Sequence, residues 1–409
     1  MKKKPSSPHW KRNATFFIAG QFISMFGSML VSHAITWHIT LQEQSGGLIA
    51  LFTCATMLPM VFVSPFAGVW ADRYNRKYLI NISDAAIALI TLIVAVLYAS
   101  GTKSIWFLFI AAMARSAGQG VQLPAVNALI PQIVPEEHLT RFNGIQSTAQ
   151  SLTMFAAPMA AGALLAFLPI EYIFFIDVIT AVIGIATIFF FVKVCGVHPL
   201  REREAGIKAY YHEMAEGLRV IRNEPWLRTL LAFTAMFCIL ASPAAMLTPL
   251  QVTRTFGSDV WRLTAIEIAF SVGMMAGGIV ISIWNGFKNK VHTMVLAWFL
   301  FGVSTILFGI LPNFWLYLGV MIFCGSTMPL YNAPSMTVVQ TKITPDVMGR
   351  VFSVVAMING LAMPLGIILF GPLSDIIKIE ILLVITGILL VAGGFFLYQR
   401  KELMQAGEI

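Results

Sequence analysis

The stretch Gly68–Lys77, "GVWADRYNRK", puts an aspartate and three cations into one short turn between two long apolar runs. The rest of the chain offers few such residues. Of its 409 residues 58% are hydrophobic and 11% charged, about half the charge of a soluble domain. Apolar runs of about 20 residues recur along nearly the whole length, each able to cross roughly 30 Å of hydrocarbon. A chain of this kind is an all-α membrane protein, and Gly68–Lys77 is one of the short connections that its spans leave in water.

Twelve spans are expected, over 14–38, 46–70, 78–99, 105–131, 143–168, 170–192, 226–250, 263–284, 291–311, 314–341, 351–374 and 381–399. With the N-terminus in the cytoplasm, four of the 27 Lys and Arg fall outside the cell (Lys103, Arg254, Arg262 and Lys378). Arg115 lies inside a span, and the other 22 face the cytoplasm. That asymmetry follows the positive-inside rule. The net charge of +8 therefore faces anionic lipid, and nucleic acid is not an expected partner. The basic N-terminus leads into a span too long for a signal peptide, so the first span is expected to be retained. Both termini are expected in the cytoplasm of a bacterial plasma membrane.

One long polar connection, 193–225, divides the chain into an N-terminal six-helix half (1–192) and a C-terminal one (226–409). Within it Ile207, Tyr211, Met214, Leu218 and Ile221 recur at helical spacing, which predicts an amphipathic helix on the membrane surface. The four cysteines form no C-x-x-C pair, and His33 and His38, five apart, do not share a helix face. Neither a metal site nor a cofactor is expected.

The two halves repeat. A shift of about 210 residues superposes Gly68 on Gly278, Pro124 on Pro334 and Pro135 on Pro345, and brings Arg141 within one residue of Arg350. "PAVNALIPQIVPEEHLTR" (124–141) thus answers "PSMTVVQTKITPDVMGR" (334–350), and "FAAPMAAG" (155–162) has a looser partner in "LAMPLGI" (361–367). Parallel six-span repeats are the pattern of transporters whose substrate site lies between the halves near mid-membrane.

With the repeat in place, the opening stretch resembles the loop 2–3 signature of the major facilitator superfamily, G-x-x-x-D-R-x-x-R-K, carried here by Gly68, Asp72, Arg73, Arg76 and Lys77. Asn75 stands where glycine is usual, a change that left-handed turn geometry tolerates. The stretches 124–141 and "LTAIEIAF" (263–270) resemble the macrolide-efflux branch of the drug:proton antiporters. The helix-5 antiporter motif is met in altered form by Gly144, Ala157, Pro158, Ala161 and Gly162, and Arg115, Gly118 and Gly120 approximate the helix-4 arginine motif. The resemblance implies twelve helices in two halves, alternating access, export, and function as a monomer. It also implies a latch: Asp72, at the cytoplasmic end of helix 2, would face a helix N-terminus in the other half, where an anion gains about 0.3–1 kcal/mol. Arg73, Arg76 and Lys77 would meet carboxylates or carbonyls, and Asp84 is expected to serve these cations.

Polar stripes inside the spans mark candidate cavity linings or helix contacts. They are Gln21, Ser24 and Ser28 in helix 1, Arg115, Gln119 and Gln122 in helix 4, Gln146 and Gln150 in helix 5, and Tyr331 and Asn332 in helix 10. Arg115, near the middle of its span, either orients substrate or tunes a carboxylate, or it forms a structural ion pair. Glu267, about one turn inside helix 8, is the first candidate for carrying protons. Asp177, deeper in helix 6, is the second, with a structural hydrogen bond as its other reading. The expected substrate is a small amphipathic compound such as a drug or macrolide, and an endogenous siderophore or lysolipid is the alternative. A transport-inactive sensor is a reading from another class. No H-E-x-x-H, G-x-S-x-G or Cys/His pair points to an enzyme.

Overall fold

The computed structural model describes residues 10–193, 215 and 218–408. Most of the amphipathic helix expected in the central connection, Ile207 to Met214 included, lies outside these residues. Among the described residues there is no strand, only one isolated bridge between Asn289 and Glu408. The long helices are α1 (Trp10–Glu43), α2 (Gly46–Arg73), α3 (Arg76–Ala99), α4 (Ile105–Ile133), α5 (Leu139–Phe167), α6 (Ile170–Phe191), α7 (Pro225–Thr255), α8 (Val260–Trp284), α9 (Lys290–Ile310), α10 (Phe314–Lys342), α11 (Pro345–Ile376) and α12 (Ile379–Tyr398). Eleven of them are both long and apolar enough to cross a membrane. The twelfth, α4, has the length at 29 residues, but Arg115, Gln119, Gln122 and Asn127 lower its hydropathy.

The contacts divide the chain into two units. Unit 1 comprises Met1–His38 and Ala55–Tyr210; unit 2 comprises Ile39–Cys54 and Tyr211–Ile409. The outer part of the α1–α2 hairpin is thus packed with unit 2, and only the rest of the first two helices belongs to unit 1.

Lipid supplies no hydrophobic drive between helices, so close backbone approach has to hold them together. In unit 1, α1 crosses α6 where a Cβ on Gly184 would stand 2.9 Å from the Gly20 carbonyl oxygen. Around the 2–3 turn, Phe17, Ala71, Ile80, Leu129, Ile133, Phe142 and Ile188 close a buried core drawn from six helices. In unit 2, α8 and α10 interlock. A Cβ on Gly273 or Gly277 would run into the carbonyls of Ile322 or Ser326, and one on Gly325 into that of Phe270. Gly278, next in the chain, has nothing within 4 Å of its missing Cβ, and neither has Gly68, its partner in the repeat.

The seventh span is continuous but irregular. Pro243 and Pro249 each lack an N–H, and Pro243–Leu247 forms a π-helical turn between two α-helical pieces. Such a turn re-aims the side chains that follow it, and π turns recur at functional sites.

Candidate functional site

The 2–3 turn departs from the sequence expectation at Asn75. This residue is extended (φ −67°, ψ 114°) and its side chain accepts from the Lys77 N–H. It is the N-cap of α3, a place where Asn is favoured because it satisfies an orphan donor, and no left-handed geometry is involved. Arg76 is buried and its Nε donates to the Ala71 carbonyl at 2.8 Å. Lys77 Nζ donates to Phe189 O and Val192 O, both at 2.7 Å, so a cation sits on the C-terminal carbonyls of α6, where the helix dipole favours it. Arg73 is exposed. The Asp72 side chain, and with it the expected latch, lies outside the described side chains.

Asp84 does not serve this turn. It lies two turns into α3, and its Oδ1 accepts from Ser24 Oγ (3.2 Å) and Gln122 Nε2 (2.8 Å). The reason is helical geometry: eight residues beyond Arg76 is about 12 Å of rise, which carries Asp84 away from the cations and against α1 and α4.

Nearby, Arg115 on α4 meets Asp177 on α6 at 2.5 Å. Its remaining N–H groups reach the Ser28 carbonyl (2.7 Å) and Thr91 Oγ1 (3.2 Å). Both members are nearly sealed, at 5% and 1% exposure. Arg115 is thus ion-paired to Asp177 through Oδ2, while Asp177 Oδ1 is buried without a hydrogen-bond partner among the described residues. Ser24, Ser28, Asp84, Arg115, Gln122 and Asp177 thus form one polar cluster inside unit 1. Gln21 is near it in sequence register, with its Nε2 buried and unpartnered.

Unit 2 holds a cavity of about 390 Å³ between α7, α8, α9, α10 and α11, within the range of small-molecule sites. Phe237, Phe270, Phe301 and Phe308 line it together with Met321, Met328, Met336 and Met363, and Tyr331, Asn332 and Glu267 supply polar atoms. Tyr331 is fixed by a 2.7 Å hydrogen bond with Thr234 and by stacking on Phe237, with centroids 5.3 Å apart. The π turn of α7 contributes Ala244 and Ala245 to the wall. Glu267 is half-buried on this wall, and among the described residues no hydrogen bond or ion pair holds its carboxyl. Because α8 starts at Val260, Glu267 stands two turns inside the helix, one turn deeper than its sequence position suggested.

On the α1–α2 turn, within unit 2, lies a clasp that no motif announced. Asp375, at the end of α11, accepts from the N–H groups of Gly46 (2.7 Å) and Gly47 (2.8 Å) and from Ser45 Oγ (3.0 Å). Arg254 joins it at 3.1 Å, donates to Ser374 O at 2.9 Å, and binds the carbonyl of Gln44. Gln44 has a left-handed backbone (φ 47°), so the guanidinium holds a turn that is unfavourable for a non-glycine residue.

The remaining candidates are not gathered into either polar centre. Gln119 and Gln150 are exposed and Gln146 half-buried. In α5, Ala157, Pro158, Ala161 and Gly162 are buried, whereas Gly144 is exposed with nothing near its missing Cβ.

Residues 17–367 match the sequence profile of the Major Facilitator Superfamily. The chain is 28% identical over 386 residues to macrolide efflux protein A of Streptococcus pyogenes, covering 94% of each. It is 29% identical over 313 residues to macrolide efflux protein A of Enterococcus faecalis, covering 76% of this chain and 96% of that one. Among solved structures it is similar to a bacterial homologue of the iron transporter ferroportin, with a TM-score of 0.73 at 15% identity, over 95% of this chain and 99% of the other.

Proposed function

The chain belongs to the Major Facilitator Superfamily, and we propose that it exports amphipathic organic compounds of the macrolide type by proton-coupled alternating access. The observation that carries this reading is the similarity to macrolide efflux proteins along nearly the whole chain. The cavity in unit 2 supports it. Its phenylalanines give flat apolar contact, and its methionines repack around ligands of different shape.

Glu267 is the carboxyl best suited to coupling. It faces the cavity without a cation to hold it, so a proton can come and go without breaking a salt bridge. Asp177 is the weaker candidate because Arg115 occupies it. The excess of Lys and Arg on one set of connections supports a bacterial plasma-membrane protein with both termini in the cytoplasm.

Everted membrane vesicles test the proposal directly. Energised vesicles carrying the protein should accumulate the macrolide erythromycin, and a protonophore should abolish the accumulation. No accumulation above empty vesicles refutes macrolide export. Accumulation that survives the protonophore refutes proton coupling.

A further inference from the structure

We propose that Asp84 is a second proton-binding carboxyl, separate from Glu267, in a hydrated exchange site inside unit 1. Its role in transport rests on the proton-coupled reading above; the site itself is argued from unit 1 alone.

Charge balance is the first ground. Arg115, Asp177 and Asp84 are 5%, 1% and 4% exposed, so one cation shares the interior with two acids. Arg115 is paired with Asp177 at 2.5 Å, and two further N–H groups donate to the Ser28 carbonyl and Thr91 Oγ1. Only neutral donors bond to Asp84, Ser24 from α1 and Gln122 from α4, and its Oδ2 has no partner. An unmatched charge inside a span is costly. One proton on Asp84 brings the three groups to neutrality without disturbing the ion pair. The charged groups nearest to it are Arg115 on α4 and Asp177 on α6, already engaged with each other.

The neighbouring side chains add buried donors and an acceptor close to Asp84. Ser24 lies against Asp84, and one turn earlier on each helix stand Gln21 and Asn81, on the same faces. Gln21 Nε2 and both polar atoms of Asn81 are buried without partners. Amide N–H groups hold a water or a carboxylate oxygen. Asn81 Oδ1 supplies the acceptor that a protonated Asp84 or a water requires. Unpartnered buried polar atoms are the ones that an ordered water satisfies, and a water bonded to them would give the proton a route to the carboxyl.

Infrared difference spectroscopy of the purified full-length protein tests this without any transported compound. A pH jump should produce protonated-carboxyl absorption with two contributions, one that is lost in Asp84→Asn and one that is lost in Glu267→Gln. Ser24→Ala removes one donor and no charge, and it should displace the pH at which the Asp84 contribution titrates. Absorption in folded Asp84→Asn identical to that of the parent protein overturns the proposal, as does an unmoved titration of the Asp84 contribution in Ser24→Ala. An Asp84 contribution that responds to added sodium chloride at fixed pH identifies a cation site and overturns it too. Macrolide accumulation in vesicles is read separately, so either finding can fail while the other stands.

Discussion

Asp375 caps the N-terminus of α2 from another helix: its two oxygens take the N–H groups of Gly46 and Gly47 at 2.7 and 2.8 Å. A helix begins with orphan donors, and here a carboxylate at the end of α11 satisfies two of them. This contact ties the α1–α2 turn to α11 within unit 2.

Asp375→Ala should therefore free the α1–α2 turn. Loss of a cap costs about 0.5–2 kcal/mol, and 1.4 kcal/mol is a tenfold change in an equilibrium. A cysteine at Ser45 should react with a membrane-impermeant maleimide several-fold to tenfold faster in Asp375→Ala than with Asp375 intact. Equal rates would mean that the turn is held by other contacts.

Breaking the Arg115–Asp177 pair from one side should be far more damaging than removing both charges. Arg115→Ala leaves a carboxylate that is 1% exposed with no counter-charge, a loss of about 3–5 kcal/mol. Folded yield and thermal stability in detergent should fall sharply, and Arg115→Ala with Asp177→Asn should recover much of the loss. Arg115→Lys should also fall short, because one ammonium cannot span Asp177, Thr91 and the Ser28 carbonyl as the guanidinium fork does.

Glu267→Gln keeps the shape of the cavity wall and removes the exchangeable proton. Uphill erythromycin export driven by a proton gradient should fall at least tenfold in proteoliposomes, while binding and downhill exchange stay close to the parent protein. If binding falls equally, the carboxylate holds the substrate and does not couple it.

Two adjacent glycines give a matched pair for packing. Gly277→Ala puts a methyl group into the Ser326 carbonyl, whereas Gly278→Ala meets open space and gains about 0.8–1 kcal/mol of helix propensity. The first should lower the melting temperature and the second leave it unchanged or raise it.

The spans and the family resemblance were legible because membrane thickness and charge asymmetry write themselves into hydropathy and Lys/Arg position. The pairing of Arg115 with Asp177 was not, since 62 residues separate them and only packing decides which acid the guanidinium meets. Asp84 was misread for a related reason. Closeness in sequence to Arg76 suggested a shared turn, but helical rise separated them and a neighbouring helix supplied the partners. Asp375 left no signal at all, because a carboxylate at a helix end reads as an ordinary polar terminus until the chain brings another helix start beneath it.

Gly68 and Gly278 sit 210 positions apart at equivalent places in the two repeats, and each faces empty space. A glycine inside a helix gives up nearly 1 kcal/mol of stability against alanine, and nothing touching either residue in this conformation returns it. Under the proposed alternating-access cycle, that loss is recovered when a neighbour packs against the bare backbone in another conformation. Gly68→Ala should melt at or above the parent temperature yet cycle slowly, a defect of motion in a protein with no defect of fold.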